Sequence, residues 1–271
     1  MFALAFSKRW LGVLAMVLVF AVACVFLGQW QFARRAEARA AIALLDANHD
    51  RSAVPLETVL TDKTTDSPEL KWLPVIINGQ YLITETAYAR NRTRNGQIGF
   101  EQIVPFKTEQ GTVFVVDRGW IAANDDYSAP ATQPAVPDAN LTVVARLIPG
   151  EQQITGRNAP AGQLATINLP GLKVATGEDL YTGFYGRLVS EEPDSENGEL
   201  WERPVLDEGP HLSYALQWYV FALMAFFAYF WALLKEYRIS SGASPRTVKK
   251  PRSRISKLSD EEIEDAITRA Q

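Results

Sequence analysis

The stretch WLGVLAMVLVFAVACVFLGQWQF, residues 10–32, carries no charged side chain. As a helix rising about 1.5 Å per residue, it is long enough to cross a hydrocarbon core of about 30 Å. A second stretch, HLSYALQWYVFALMAFFAYFWALL at residues 211–234, also lacks Asp, Glu, Lys and Arg and is rich in aromatics that suit a membrane interface. The two predict a membrane protein of α+β class, with two transmembrane helices flanking one mainly-β external, periplasmic domain. The expected divisions are a cytoplasmic start (1–9), a span (10–32), the external domain (33–209), a second span (211–234) and a cytoplasmic tail (235–271).

Averages over the whole chain conceal this arrangement. With 271 residues, 47% hydrophobic and 21% charged, and a net charge of −4, the composition is that of an ordinary soluble protein. It excludes a long disordered chain and a basic nucleic-acid binder. Divided by segment, the charge is +2 before the first span, −9 over residues 34–208 (16 basic against 25 acidic) and +3 from residue 235 onward. Basic ends around an acidic middle predict cytoplasmic termini, and a start without an Arg- and Ser-rich amphipathic presequence points to a bacterial inner membrane rather than mitochondrial import. Arg34, Arg35 and Arg39 oppose that orientation, and the tail cluster Lys249, Lys250, Arg252, Arg254 and Lys257 outweighs them.

A cleaved signal peptide is the alternative for the first stretch, because Lys8 and Arg9 precede it. Its apolar run exceeds the usual length, and no small-x-small pattern followed by polar residues closes it. Cys24 is the single cysteine, which excludes a disulfide framework and a Cys-rich metal site. The apolar residues Val25, Phe26 and Leu27 after it argue against lipoprotein processing, and Cys24 reads as a buried small residue.

Residues 33–45 have helical composition and continue the first span. Between the spans, short β-rich runs at 72–77, 80–86, 99–106, 112–118, 141–147, 164–167 and 180–188 are separated by Gly, Pro, Asn and Asp. Gly111 predicts a hairpin turn, and 124–140 and 190–198 read as surface loops. In the tail, Ser259 and Glu262 have capping-box spacing ahead of a narrow apolar stripe, which predicts a short helix, and the basic linker before it is suited to anionic lipid.

The external segment contains no nucleotide loop, Gly-x-Ser-x-Gly elbow or His-Glu-x-x-His motif. Of the two histidines, His49 lies in the polar stretch ANHDR and reads as a solvated loop residue. His211 stands at the mouth of the second span, and imidazole is a common axial ligand of haem iron. At about 100° per residue, Tyr214, Ala215, Trp218, Ala222, Ala225 and Tyr229 fall near its direction on the helix. Small residues there admit either a flat macrocycle or a partner helix close to the backbone. On residues alone, His211 is either a ligand or an ordinary helix start.

Several of these segments, in this order, carry a resemblance. LGQWQFARRAE (27–37), the stretch 74–81 with Gly79, GFEQIVPF (99–106), VVDRGWI (115–121) and HLSYALQWYVFA (211–222) resemble the surfeit-locus family of cytochrome oxidase assembly factors. The resemblance implies a non-enzymatic membrane accessory protein, with cytochrome c oxidase subunits, haem a synthase and membrane lipid as partners and haem a as a transient cofactor. It makes His211 a candidate axial ligand, beside Tyr214 and Trp218. Trp30, Arg34, Asp117, Arg118, Gly119, Trp120 and Gln217 belong to the matching motifs. Trp30 and Arg34 suit the lipid interface, and Asp117 to Trp120 read first as fold determinants, with Asp117 and Arg118 pairing locally or across strands. A scaffold that binds oxidase subunits without touching haem is the alternative. A hydrolase using Asp117 and Glu101 as a carboxylate pair ranks last.

Overall fold

The computed structural model describes residues 2–125, 128–129 and 133–242. The tail helix and basic cluster expected beyond residue 242 lie outside them. The chain divides into two compact units, one of Met1–Gln31 with Leu212–Gln271 and the other Phe32–His211.

In chain order the elements are α1 (Phe2–Ala5), α2 (Lys8–Asn48), β1 (Val54–Pro55), α3 (Leu56–Val59), β2 (Pro74–Tyr81), β3 (Ala87–Arg94), β4 (Gln97–Thr108), β5 (Val113–Ala122), β6 (Leu141–Pro149), β7 (Gln163–Leu164), α4 (Leu169–Thr176), β8 (Phe184–Glu192) and α5 (His211–Ser240). As expected, α2 runs past the apolar stretch. Its continuation is dense in Ala, Arg, Glu and Leu, all good helix formers.

In the first unit, α2 and α5 pack through small residues and rings. Ala21, Cys24 and Ala222 form one buried cluster, with Trp218 and Phe221 against it. Trp10 meets Tyr229 edge to face at 5.5 Å. A methyl group on Gly28 would lie 2.8 Å from the Tyr219 ring, so this glycine is what lets the ring lie on the backbone. Both helices are long and apolar enough to cross a membrane, and only 11% of each apolar window is buried, unlike the core helix of a soluble protein. Phe26, Leu223 and Phe227 point outward and are at least 70% exposed, as expected of helices solvated by lipid.

The second unit is a barrel. The sheet order is β1-β2-β6-β8-β5-β4-β3-β7, and an additional antiparallel β2–β4 pairing closes β2, β6, β8, β5 and β4 on themselves. Alternate residues fill the interior: Val75 and Ile77, Val104 and Phe106, Phe114 and Val116, Val143 and Ala145. The opposite face of β4 and β5 presents Ile103, Val113 and Val115 to Leu169 and Leu172 of α4. Closure leaves this β core without free edges.

Several sequence expectations need correction. Residues 80–86 are not one strand: β2 ends at Tyr81, a single 3-10 turn spans Ile83–Glu85, and β3 follows at Ala87–Arg94. The run ARNRTR hid this strand because its polar residues lack an apolar alternation. The strand expected at 164–167 is only Gln163–Leu164, and the one at 180–188 is shifted to Phe184–Glu192, taking in part of an expected loop. Helix α4 was not foreseen. Asn168 caps it by accepting from the Gly171 N–H at 2.8 Å, and Gly177 ends it in the left-handed conformation. His49 is buried rather than solvated, with Trp72 at 6.5 Å and Asp50 on its Nδ1.

Candidate functional site

The Asp-Arg-Gly-Trp stretch lies near the end of β5 and locks the barrel to the segment that leads toward α5. Arg118 points into the barrel and is completely buried. Its Nη2 donates to Glu191 Oε1 (2.9 Å), Ser195 Oγ (2.8 Å) and the Glu196 carbonyl (2.9 Å). Its Nη1 donates to Gln102 Oε1 (3.0 Å) and the Ala135 carbonyl (3.2 Å). The Tyr81 ring lies 5.1 Å from the guanidinium, and its hydroxyl donates to Glu191 Oε2 at 2.9 Å. Burial pushes the Tyr81 phenol up from its ordinary range, with the neighbouring Glu191 carboxylate adding to the shift. A buried charge on this scale persists only when paired and hydrogen-bonded, and Arg118 is both.

Gly119 has φ of +111°, and a Cβ there would come within 2.7 Å of the Gly198 backbone. The close approach lets the 198–199 segment join the strand. The Gly198 N–H donates to the Arg118 carbonyl, and Trp120 and Glu199 exchange N–H to carbonyl bonds at 2.9 and 2.8 Å. The Trp120 indole donates to the Arg92 carbonyl at 2.8 Å and lies over Gly99, where a Cβ would be 2.4 Å from the ring. The matching motifs 99–106 and 115–121 pair along β4 and β5, and the 198–199 segment joins them at the Trp120 end.

On the other face, Glu101 and Asp117 are buried and share one guanidinium. Arg187 lies 3.6 Å from each carboxylate, and Arg92 reaches Glu101 at 2.9 Å. Asp117 and Arg187 are directly opposed in the parallel β5–β8 pair, so Asp117 pairs across strands, and it also accepts from the Gly119 N–H at 3.0 Å. Burial, reinforced by Asp117, pushes the Glu101 carboxyl up to about 8. Burial also raises Asp117, against the pull of Arg187. The carboxylate pairing considered from sequence thus exists in space. Its acids are closed off from water and held by arginines, an arrangement that suits structure rather than activation of a water molecule.

Sequence reasoning missed Arg187, Arg92, Glu191 and Trp201. The Trp201 ring is met by the guanidinium of Arg187, at 4.5 Å, and that of Arg94, at 5.3 Å. Further along, Arg203 pairs with Asp46 and Asp50 near the end of α2. Glu208 pairs with Arg35 at 2.9 Å and Arg39 at 3.3 Å. The segment before His211 is therefore fixed by ion pairs three residues ahead of that histidine. Its one sequence signal was the crowding of acids around Arg187 and Arg203, which gives no partners without the fold.

The remaining expected residues lie on the helices. His211 is the first residue of α5. Tyr214 and Gln217 are exposed, and Trp218 is half-buried with Phe221 edge to face at 5.8 Å. Ala215, Ala222 and Tyr229 form the buried side of α5. Trp30 is exposed, and Arg34 pairs with Glu37 one turn away at 2.7 Å. Within the barrel unit, the ion pair of Arg34 is with Glu37 and not with the Asp-Arg-Gly-Trp residues. Among the described residues, no group of three or more His, Cys, Asp or Glu could hold a metal ion.

The sequence pattern of the SURF1 family matches residues 18–223. An uncharacterized SURF1-like protein of Mycobacterium tuberculosis (strain ATCC 25618 / H37Rv) is 30% identical over 269 residues, covering 95% of this chain and 97% of that protein. A SURF1-like protein of Rickettsia conorii is 26% identical over 212 residues, covering 73% of this chain and 82% of its own length. One from Rickettsia felis is 26% identical over 219 residues, or 76% and 90%. The family is linked to cytochrome oxidase assembly. The matched region takes in part of each long apolar helix and the whole barrel, and on that ground the chain belongs to the SURF1 family.

Proposed function

We propose that this protein is a membrane-anchored accessory factor that presents haem a, as cargo, to the catalytic subunit of a cytochrome c oxidase. In this reading α2 and α5 cross the bacterial inner membrane, both termini are cytoplasmic, and the barrel lies in the periplasm. Haem a synthase and oxidase subunits are its partners. The observation that carries the reading is the family match from the first apolar helix through His211 and its following turns. The clamp ahead of His211 adds support: Glu208, held by Arg35 and Arg39, fixes the segment from which the imidazole projects. A haem iron needs only one or two axial ligands, so a lone histidine suffices where a protein-only metal site would need several. His211 would hold the iron, with Tyr214 and Trp218 on the following turn offering aromatic surface. The protein makes and breaks no bond.

One observation favours the scaffold alternative. The small-residue side of α5 is filled by Ala21 and Cys24 of α2 rather than left open, which suits helix packing without a macrocycle.

The test is the full chain purified in detergent from cells that make haem a, beside His211→Ala. The reading predicts a haem absorption band in the wild type and its loss in the variant. Equal haem content in both overturns the ligand role, and co-purification of oxidase subunits without haem favours the scaffold.

A further inference from the structure

Beside β3 the barrel unit carries a cleft of about 420 Å³ whose lining includes Arg90, Asn91, Arg92, Glu151 and Arg157. An adjoining cleft of about 260 Å³ shares Arg90, Asn91 and Arg157 and adds Asn158. The register of β3 against β4 slips between Ala89 and Arg92, and Asn91 sits at φ +58°. This bulge turns Arg92 toward Glu101 and leaves Arg90 and Asn91 at the cleft.

The charges do not balance locally. Glu151 is the one carboxylate of the lining, and it is already engaged: its oxygens accept from Arg92 Nη1 and Nη2 at 2.8 and 2.9 Å, and one also accepts from the Ile167 N–H. Neither Arg90 nor Arg157 has a carboxylate within 4.0 Å among the described residues, and the Nε of Arg90 is buried without a hydrogen-bond partner. Arg92, Arg94, Arg118, Arg187 and Arg203 each meet an acid. Two unmatched guanidiniums facing one cleft are unexpected in a domain with nine more acidic than basic residues. A guanidinium buried at one edge gains most from an oxyanion, which accepts its in-plane N–H groups in pairs.

We propose that Arg90 and Arg157 form an oxyanion-binding cleft that takes the phosphate or carboxylate group of a small molecule, with the amides of Asn91 and Asn158 as further donors. This reading is independent of His211 and of haem.

The test is calorimetric titration of the detergent-solubilised full chain, at low ionic strength, with inorganic phosphate, succinate and sn-glycerol 3-phosphate in separate arms. The expected result is saturable binding of at least one probe, weakened tenfold or more by Arg157→Gln and by Arg90→Gln and less by Arg90→Lys. Tighter binding of glycerol phosphate than of phosphate assigns a lipid headgroup as the source, equal binding assigns a free oxyanion, and binding of succinate alone assigns a carboxylate. Arg157 is exposed, so its variant reports on binding even if Arg90→Gln perturbs the fold. Absence of saturable binding to all three probes, or wild-type affinity in Arg157→Gln, overturns the proposal.

Discussion

Arg118 Nη2 lies 2.9 Å from Glu191 Oε1, and both side chains are completely buried. Removing one partner leaves the other charged and dry, at a cost of about 3–5 kcal/mol. Arg118→Met is therefore expected to lower the melting temperature of the barrel by roughly 6 °C or more, read by thermal denaturation in detergent. Arg118→Met combined with Glu191→Leu should recover part of the loss. Additive loss in the double variant would show that the two residues do not act as a pair.

Gly119 and Gly198 allow a second test. Gly119→Ala meets both an unfavourable φ and the Gly198 backbone at 2.7 Å, whereas Gly111→Ala meets only its φ of +82° in open space. Both are expected to destabilise, Gly119→Ala by clearly more than the roughly 1 kcal/mol typical of a φ effect alone. Hydrogen exchange should show the amides of Gly198 and Glu199 losing protection only in Gly119→Ala. Equal effects of the two variants would contradict the close-approach account.

Much of this was legible beforehand, for identifiable reasons. An uncharged run such as 10–32 is long enough to form one continuous apolar helix, and the helix formers that follow it carry α2 onward, so both long helices are legible in the residues. The barrel strands with apolar alternation, such as Leu141–Pro149, were equally plain. Strand β3 was hidden because its arginines pair with acids on other elements: Arg92 with Glu101 and Glu151, and Arg94 with Glu199. For the same reason the motif residues Asp117 and Arg118 could be picked out, while their partners Arg187 and Glu191 could not. A charge partner is fixed by sheet register, which composition does not reveal.

The raised Glu101 carboxyl gives a pH prediction. Its folded value, about 8, exceeds the ordinary value of 4.5, so between these limits the folded state binds the proton more tightly than the unfolded one. The Glu101 contribution to stability is complete below about pH 4.5 and is lost as the pH rises toward 8. Melting temperatures measured across pH 5 to 8.5 are expected to fall more steeply for the wild type than for Glu101→Gln. Parallel profiles would place Glu101 in the ordinary carboxylate range.

Cys24 is only 1% exposed, packed with Ala21 and Ala222. A membrane-permeant maleimide should label it slowly in the native protein and rapidly after denaturation. Ala222→Leu, which forces the helices apart, is expected to raise the native rate several-fold. Rapid labelling of the native wild type would contradict the pairing of α2 with α5.

Oxidase assembly is read in the reduced-minus-oxidised haem a band of membranes from cells with the gene deleted, restored, or restored as His211→Ala. A diminished band is expected after deletion, with recovery by the wild-type gene and incomplete recovery by the variant. An undiminished haem a band in the deleted cells, with full oxidase activity, would contradict a role in oxidase assembly.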